Sequence, residues 1–273
     1  ITPEILTDLH EIGGVEANVT VGWHAIEFLL WGQDLNGTGP GAGNRPWTDY
    51  ARGEAATGGH TERRGQYLTV VAGMLVGELE TMVANWAQDG AARKALTARG
   101  TDAGLAAMLT GLGSLSYGEL AGERMRLGLI LNDPEEEHDC FSDNTHNSHF
   151  YDVVGIRAVY LGEYRRTNGS LVRGPSLSDL VRAAQPALDR EMRTRLDATL
   201  VVFQAIKTRA ETIEAYDQMI GEGNKVGNAT VQAGIDALLQ QTRTIERIVG
   251  ALRLKVAIEG SDSLDKPTAV KRH

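Results

Sequence analysis

Apolar residues recur at threes and fours through most of this chain, and that period predicts helices. Tyr67, Val71, Met74, Leu75, Leu79, Met82 and Trp86 mark one amphipathic helix from about Thr61 to Trp86. Leu188, Met192, Leu196, Leu200, Phe203 and Ile206 mark a second, and Val231, Ile235, Leu238, Thr242, Ile245, Val249 and Leu252 a third. Val153, Ile156 and Tyr160 also stand at helical spacing, and no sustained alternation of period two appears elsewhere. The chain reads as all-α.

Breakers and caps set the boundaries. Thr2 followed by Pro3 predicts an N-cap and first helical residue, with Gly13-Gly14 as the stop. Residues 15–31 are apolar over most faces, which suggests a helix packed inside the protein, and Gly32 fits its C-terminal cap. Residues 33–60, rich in glycine and holding Pro40 and Pro46, predict a long loop. Between Leu105 and Leu131 a helical pattern carries Gly111, Gly118 and Gly122; each costs about 1 kcal/mol relative to alanine, so close approach of another helix is the expected reason. Asn132-Asp133-Pro134 ends that helix and is the expected boundary between a first half over 1–132 and a second over 133–273. The tail from Gly260 to His273 reads as frayed.

Composition narrows the classes. With 42% hydrophobic and 23% charged positions in 273 residues, the chain is an ordinary globule able to bury one large core or two smaller ones. No apolar run approaches the ~20 residues of a membrane helix, so membrane-spanning folds are not expected. A net charge of −9 disfavours nucleic acid as a partner. The lone Cys140 excludes internal disulfides and multi-cysteine zinc sites but does not settle the compartment.

Three constellations could carry chemistry. In Gly22-Trp23-His24-Ala25-Ile26-Glu27 the imidazole and the carboxylate stand three apart, so a helix projects both from one face toward a single cation. A buried ion pair between them is an equally weighted alternative. Residues 132–149 hold three of the seven histidines, His138, His146 and His149, among Glu135, Glu136, Glu137, Asp139 and Asp143. Such donors suit zinc, iron or manganese, while the competing reading is a solvated acidic turn whose Asp143 caps the next helix. Glu119 and Glu123 stand four apart, a spacing at which like charges repel unless a cation such as Arg126 intervenes.

Other motifs fail. The EF-hand-like opening at Asp34 has Arg45 where a bidentate glutamate is needed. The HExxH pattern is absent because Ala25 follows His24 and Phe28 replaces the second histidine. Cys140 beside His138 and Asp139 is not read as a nucleophile, since chain neighbours rarely face one another productively.

Residues 22–41 (GWHAIEFLLWGQDLNGTGPG), 116–125 (SYGELAGERM) and 135–152 (EEEHDCFSDNTHNSHFYD) together resemble the imelysin-like proteins, and most closely their iron-regulated protein A branch. The resemblance runs through most of the chain and includes the G-x-H-x-x-E signature as Gly22, His24 and Glu27. It implies an all-α fold of two helical-bundle halves, with further N-terminal helices preceding this sequence or supplied by a separate fragment. It implies export to the periplasm or outer membrane, a place in iron acquisition beside other iron-uptake proteins, and His24 and Glu27 as metal ligands. Iron is the favoured ion and zinc the alternative, with Glu119, Glu123, Asp143, His146 and His149 as candidates to complete the site. Two rival functions remain: a metallopeptidase, in line with the family's peptidase label though its catalytic residues are unknown, and a non-catalytic scaffold that binds a surface or partner.

Overall fold

The computed structural model describes residues 1–15 and 18–270; among them the fold is all-α, with one short hairpin as the exception. Packing divides the chain into two units, residues 1–36 with 41–95, and residues 37–40 with 96 onward. The helix break at Asn132 to Pro134 falls inside the second unit, so residues 96–132 pack with the C-terminal helices.

The first unit holds α1 (Pro3–Leu9), α2 (Gly22–Trp31) and α3 (Thr61–Trp86). Thr2 caps α1 with Pro3 as its first residue. The helix expected over 15–31 begins only at Gly22. Val19, Thr20 and Val21 are β-branched and favour extended backbone, and polar bonds hold Thr20 there: its hydroxyl donates to the Leu6 carbonyl at 2.6 Å, and its own carbonyl accepts from Tyr67 at 2.7 Å. Nor is α2 buried all round. Ala25, Glu27 and Leu29 are buried, packing with Leu6 and Val71, whereas Trp23 is 65% exposed. Along α3 only Val71 and Leu75 are buried. An 18-residue window of α3 has mean hydropathy 1.4, making it the one described helix long and apolar enough to cross a membrane, which amends the composition-based expectation.

A short α4 (Ala91–Ala98) leads to the second unit, where α5 (Thr101–Ser114), a π-helix (Leu115–Arg126) and α6 (Leu127–Leu131) run end to end. Then come α7 (Thr145–Leu161), strands β1 (Glu163–Arg165) and β2 (Leu171–Arg173), α8 (Leu177–Ala184), α9 (Pro186–Thr212), α10 (Tyr216–Ile220), α11 (Lys225–Ala251) and α12 (Asp262–Asp265). The strands pair antiparallel, with Tyr164 opposite Val172. Two apolar clusters fill this unit, one around Met125, Val153, Phe203 and Ile235, the other around Leu109, Ile156, Met192 and Ile245. Each such side chain contributes roughly 1.5–3 kcal/mol on burial.

Whereas a Cβ on Gly111 would meet nothing within 4 Å, Gly118 and Gly122 of the π-helix and Gly113 of α5 are explained by a close approach, but not of a helix. The C-terminal segment 258–263 lies against them: a Cβ on Gly118 would meet the Glu259 carbonyl at 2.8 Å, one on Gly113 the Ile258 side chain at 2.6 Å, and one on Gly122 the Ser261 side chain. Ser263 is buried and donates to the Gly122 carbonyl at 2.9 Å, while Tyr117 donates to Asp265 at 2.6 Å. The tail expected to fray is therefore docked through Asp265; residues 271–273 lie outside the described residues.

Candidate metal centre

Gly22 opens α2 at φ +82, a backbone conformation in which other L-residues are strained. Nothing lies within 4 Å of a Cβ built there, so this glycine is needed for its backbone and not for space. At the other end Gly32 adopts φ +76 and donates to the Phe28 carbonyl at 2.8 Å. Arg45 then clasps the helix terminus: its amide donates to the Trp31 carbonyl at 2.8 Å, its Nη2 to Phe28 O at 3.3 Å, and its guanidinium stacks on the Phe28 ring. A cation there satisfies orphan carbonyls and complements the helix dipole. Asp49, itself buried, holds Arg45 at 3.1 Å and Thr57 at 2.9 Å. Part of the long loop is thus an ordered brace for α2.

On this anchored helix His24 Nδ1 and Glu27 Oε2 lie 3.0 Å apart. Glu27 is buried and His24 partly open. Two donors bound at about 2.1 Å to one cation stand about 3 Å from each other, so the pair fits a shared ion as well as a shared proton.

In the second unit the link between α6 and α7 carries the acidic, histidine-rich stretch. Asn132 turns the chain at φ 52 and its amide donates to the Ile220 carbonyl at 2.6 Å. α7 begins at Thr145, not under an Asp143 cap: Asp143 sits at φ 54, and Asn144 precedes the first turn without a side-chain cap bond. The Asp139 amide donates to the Thr145 hydroxyl at 2.8 Å, and the Ser148 hydroxyl donates to the Asp139 carboxylate. That carboxylate also lies 3.1 Å from His138 Nδ1, so these chain neighbours do face one another. Burial raises the nearby Asp152 carboxyl to about 6, with the His138 and Arg124 charges opposing the shift.

Deeper in the unit, His149 is fully buried, and neither ring nitrogen has a hydrogen-bond partner among the described residues. Burial, reinforced by the His138 charge, holds its imidazole down to about 3. Its ring stands perpendicular to that of Tyr216, centroids 5.0 Å apart. Glu137 is also buried; burial and the charge of Asp217 push its carboxyl up to about 9, with the Thr145 hydroxyl offsetting part of the effect. Tyr216 and Asp217 share that burial. Sequence reading did not single out these two: they open the short α10, which periodicity cannot detect.

The remaining candidates have neighbours of their own within the second unit. His146 is partly buried beside Lys207, and desolvation followed by that ammonium lowers its pKa. Glu119 accepts from Arg124 Nε at 2.8 Å, and Glu123 accepts from the Ser261 hydroxyl. The π-helical path accounts for the first pairing, since residues five apart become neighbours there. Arg124 and not Arg126 supplies the cation, and Arg126 bonds Gln232 at 2.8 Å.

Nitrogen and oxygen donors without thiolate suit iron, zinc or manganese. Among curated proteins none matches this chain. A family model described as Imelysin matches residues 1–245, over the all-α chain that carries Gly22, His24 and Glu27 on one braced helix, and the protein belongs to that family.

Proposed function

We propose that this imelysin-family protein is an exported, iron-regulated metal-binding protein of the iron-regulated protein A type, which holds or delivers a transition-metal ion in iron acquisition. The observation that carries the reading is the His24–Glu27 pair, 3.0 Å apart on a helix braced at both ends. A prearranged imidazole and carboxylate lose little conformational freedom on meeting an ion, which favours affinity. A second histidine–carboxylate pair, His138 and Asp139 at 3.1 Å, adds donors of the same kind in the other unit. Iron is the favoured ion because the donors are oxygen and imidazole, with zinc as the alternative. In this reading the protein works at the periplasm or outer membrane beside other iron-uptake proteins.

The test is metal content after equilibrium dialysis against iron(II) or zinc, comparing the parent with His24→Ala/Glu27→Ala. The reading expects the double variant to lose bound metal while keeping its helical circular dichroism. Equal metal content in the two folded proteins would reject the ligand assignment.

A further inference from the structure

We infer that the loop after α2 forms, against the end of that helix, a binding site for a neutral saccharide. A hollow of about 320 Å³ lies there, with Trp31, Gln33, Asn36, Asn44, Arg45 and Asp49 among its walls. That volume falls within the roughly 300–1,000 Å³ of small-molecule sites. Every residue lining it belongs to the first unit, so the hollow is that unit's own.

The lining selects its ligand by chemistry. Trp31 closes α2 at 40% exposure, which leaves part of its indole open to a partner. A flat aromatic surface suits the C–H face of a pyranose ring, which is apolar on its faces and polar at its rim. Gln33, Asn36 and Asn44 carry carboxamides, which donate and accept at once and so match hydroxyl groups that do the same. Charged ligands fit less well. Arg45 donates Nη1 to Asp49 at 3.1 Å and Nη2 to the Phe28 carbonyl at 3.3 Å, while the second Asp49 oxygen accepts from Thr57 at 2.9 Å. An anion meets a guanidinium already neutralised, and a cation meets a carboxylate already paired. What the hollow offers is neutral hydrogen bonding beside an aromatic wall.

The walls are also set before a ligand arrives. The Arg45 amide donates to the Trp31 carbonyl at 2.8 Å, the Asn36 amide to Asp34 at 2.8 Å, and the Asn36 carboxamide to the Gly41 carbonyl at 2.5 Å. Groups ordered in advance lose less freedom on binding.

This inference does not rest on metal binding and is tested on metal-free full-length protein. Maltotriose, cellotriose and chitotriose are titrated separately by calorimetry, with citrate as the charged comparison. The variants are Trp31→Ala, Asn44→Ala and Trp47→Ala, each checked for folding by circular dichroism. Asn44 is exposed, so its truncation spares the core, and Trp47, 74% exposed and outside the lining, controls for exposed indoles in general. The expected result is saturable binding of at least one trisaccharide, weakened about 10-fold or more in Trp31→Ala, about 3-fold or more in Asn44→Ala, and unchanged in Trp47→Ala. The inference is overturned if no trisaccharide binds below about 10 mM, ten times the 1 mM of a weak complex. It is equally overturned if citrate binds more tightly than all three, if a folded Trp31→Ala or Asn44→Ala variant titrates as the parent does, or if Trp47→Ala loses as much as Trp31→Ala. Metal content of the α2 double variant is measured separately, so this reading and the proposed function can each fail alone.

Discussion

His24 and Glu27 face each other across one turn of α2, with Nδ1 and Oε2 3.0 Å apart. The sequence spacing requires only that they share a face; the 3.0 Å separation brings both donors to one point. Glu27→Gln keeps the size and a hydrogen bond but removes the charge that an ion needs. We expect bound metal to be lost while stability changes by about 1 kcal/mol or less. Calorimetric titration beside urea unfolding checks both, and full metal retention would contradict the role.

Gly22 tests the brace and not the ligands. Its φ of +82 with open space around it means that Gly22→Ala pays only backbone strain, about 1–2 kcal/mol. Metal affinity should fall along with stability, because His24 sits in the turn that this residue starts. A variant as stable as the parent would show that the turn does not need glycine.

Gly118 faces the Glu259 carbonyl, which a new Cβ would meet at 2.8 Å. Gly118→Ala must push the C-terminal segment away, at a cost of about 1–3 kcal/mol. Hydrogen exchange should rise through residues 258–265 before the helices lose protection. Unchanged exchange there would mean that the segment is held elsewhere.

Asp189 accepts from Tyr160 at 3.0 Å and from Ser178 at 2.6 Å, joining α7, α8 and α9 through buried groups. Asp189→Ala strands both hydroxyls and should cost about 2–4 kcal/mol by urea unfolding. A loss below 1 kcal/mol would show that the hydroxyls find other partners.

Glu137 and His149, each buried, set opposite pH limbs. His149 has a folded value of about 3 against 6.5, so the unfolded chain takes the proton first; its contribution is intact above 6.5 and lost as pH falls toward 3. Glu137 has a folded value of about 9 against 4.5, so the unfolded chain ionises first; stability is full below 4.5 and erodes as pH rises toward 9. Glu137→Gln should flatten the alkaline limb of the urea midpoint and His149→Gln the acidic limb. An alkaline limb unchanged in Glu137→Gln would contradict this.

Long helices were legible because their apolar positions repeat many times: α3 begins and ends where its pattern does, and Asn132 stops α6 as the following Asp133-Pro134 requires. Short or irregular elements were not. The Asn168-Gly169 dipeptide is a hairpin signal, yet β1 and β2 are three residues each and carry no alternation to read. Residues 18–21, outside any helix, looked helical because hydrophobicity says nothing of Thr20 being tied to α1 and α3. At the candidate site, the α2 pair was visible from spacing alone. Tyr216 and Asp217 were hidden because their link to Glu137 is tertiary, and the π-helix changed which charge meets Glu119.

Anomalous scattering from crystals soaked in iron(II), collected at the iron edge for the parent and for His24→Ala/Glu27→Ala, tests the central claim most directly. The account predicts a peak within bonding distance of His24 Nδ1 and Glu27 Oε2 in the parent and its absence from the double variant. A parent map with no peak on α2, or equal peaks in the two proteins, would contradict it.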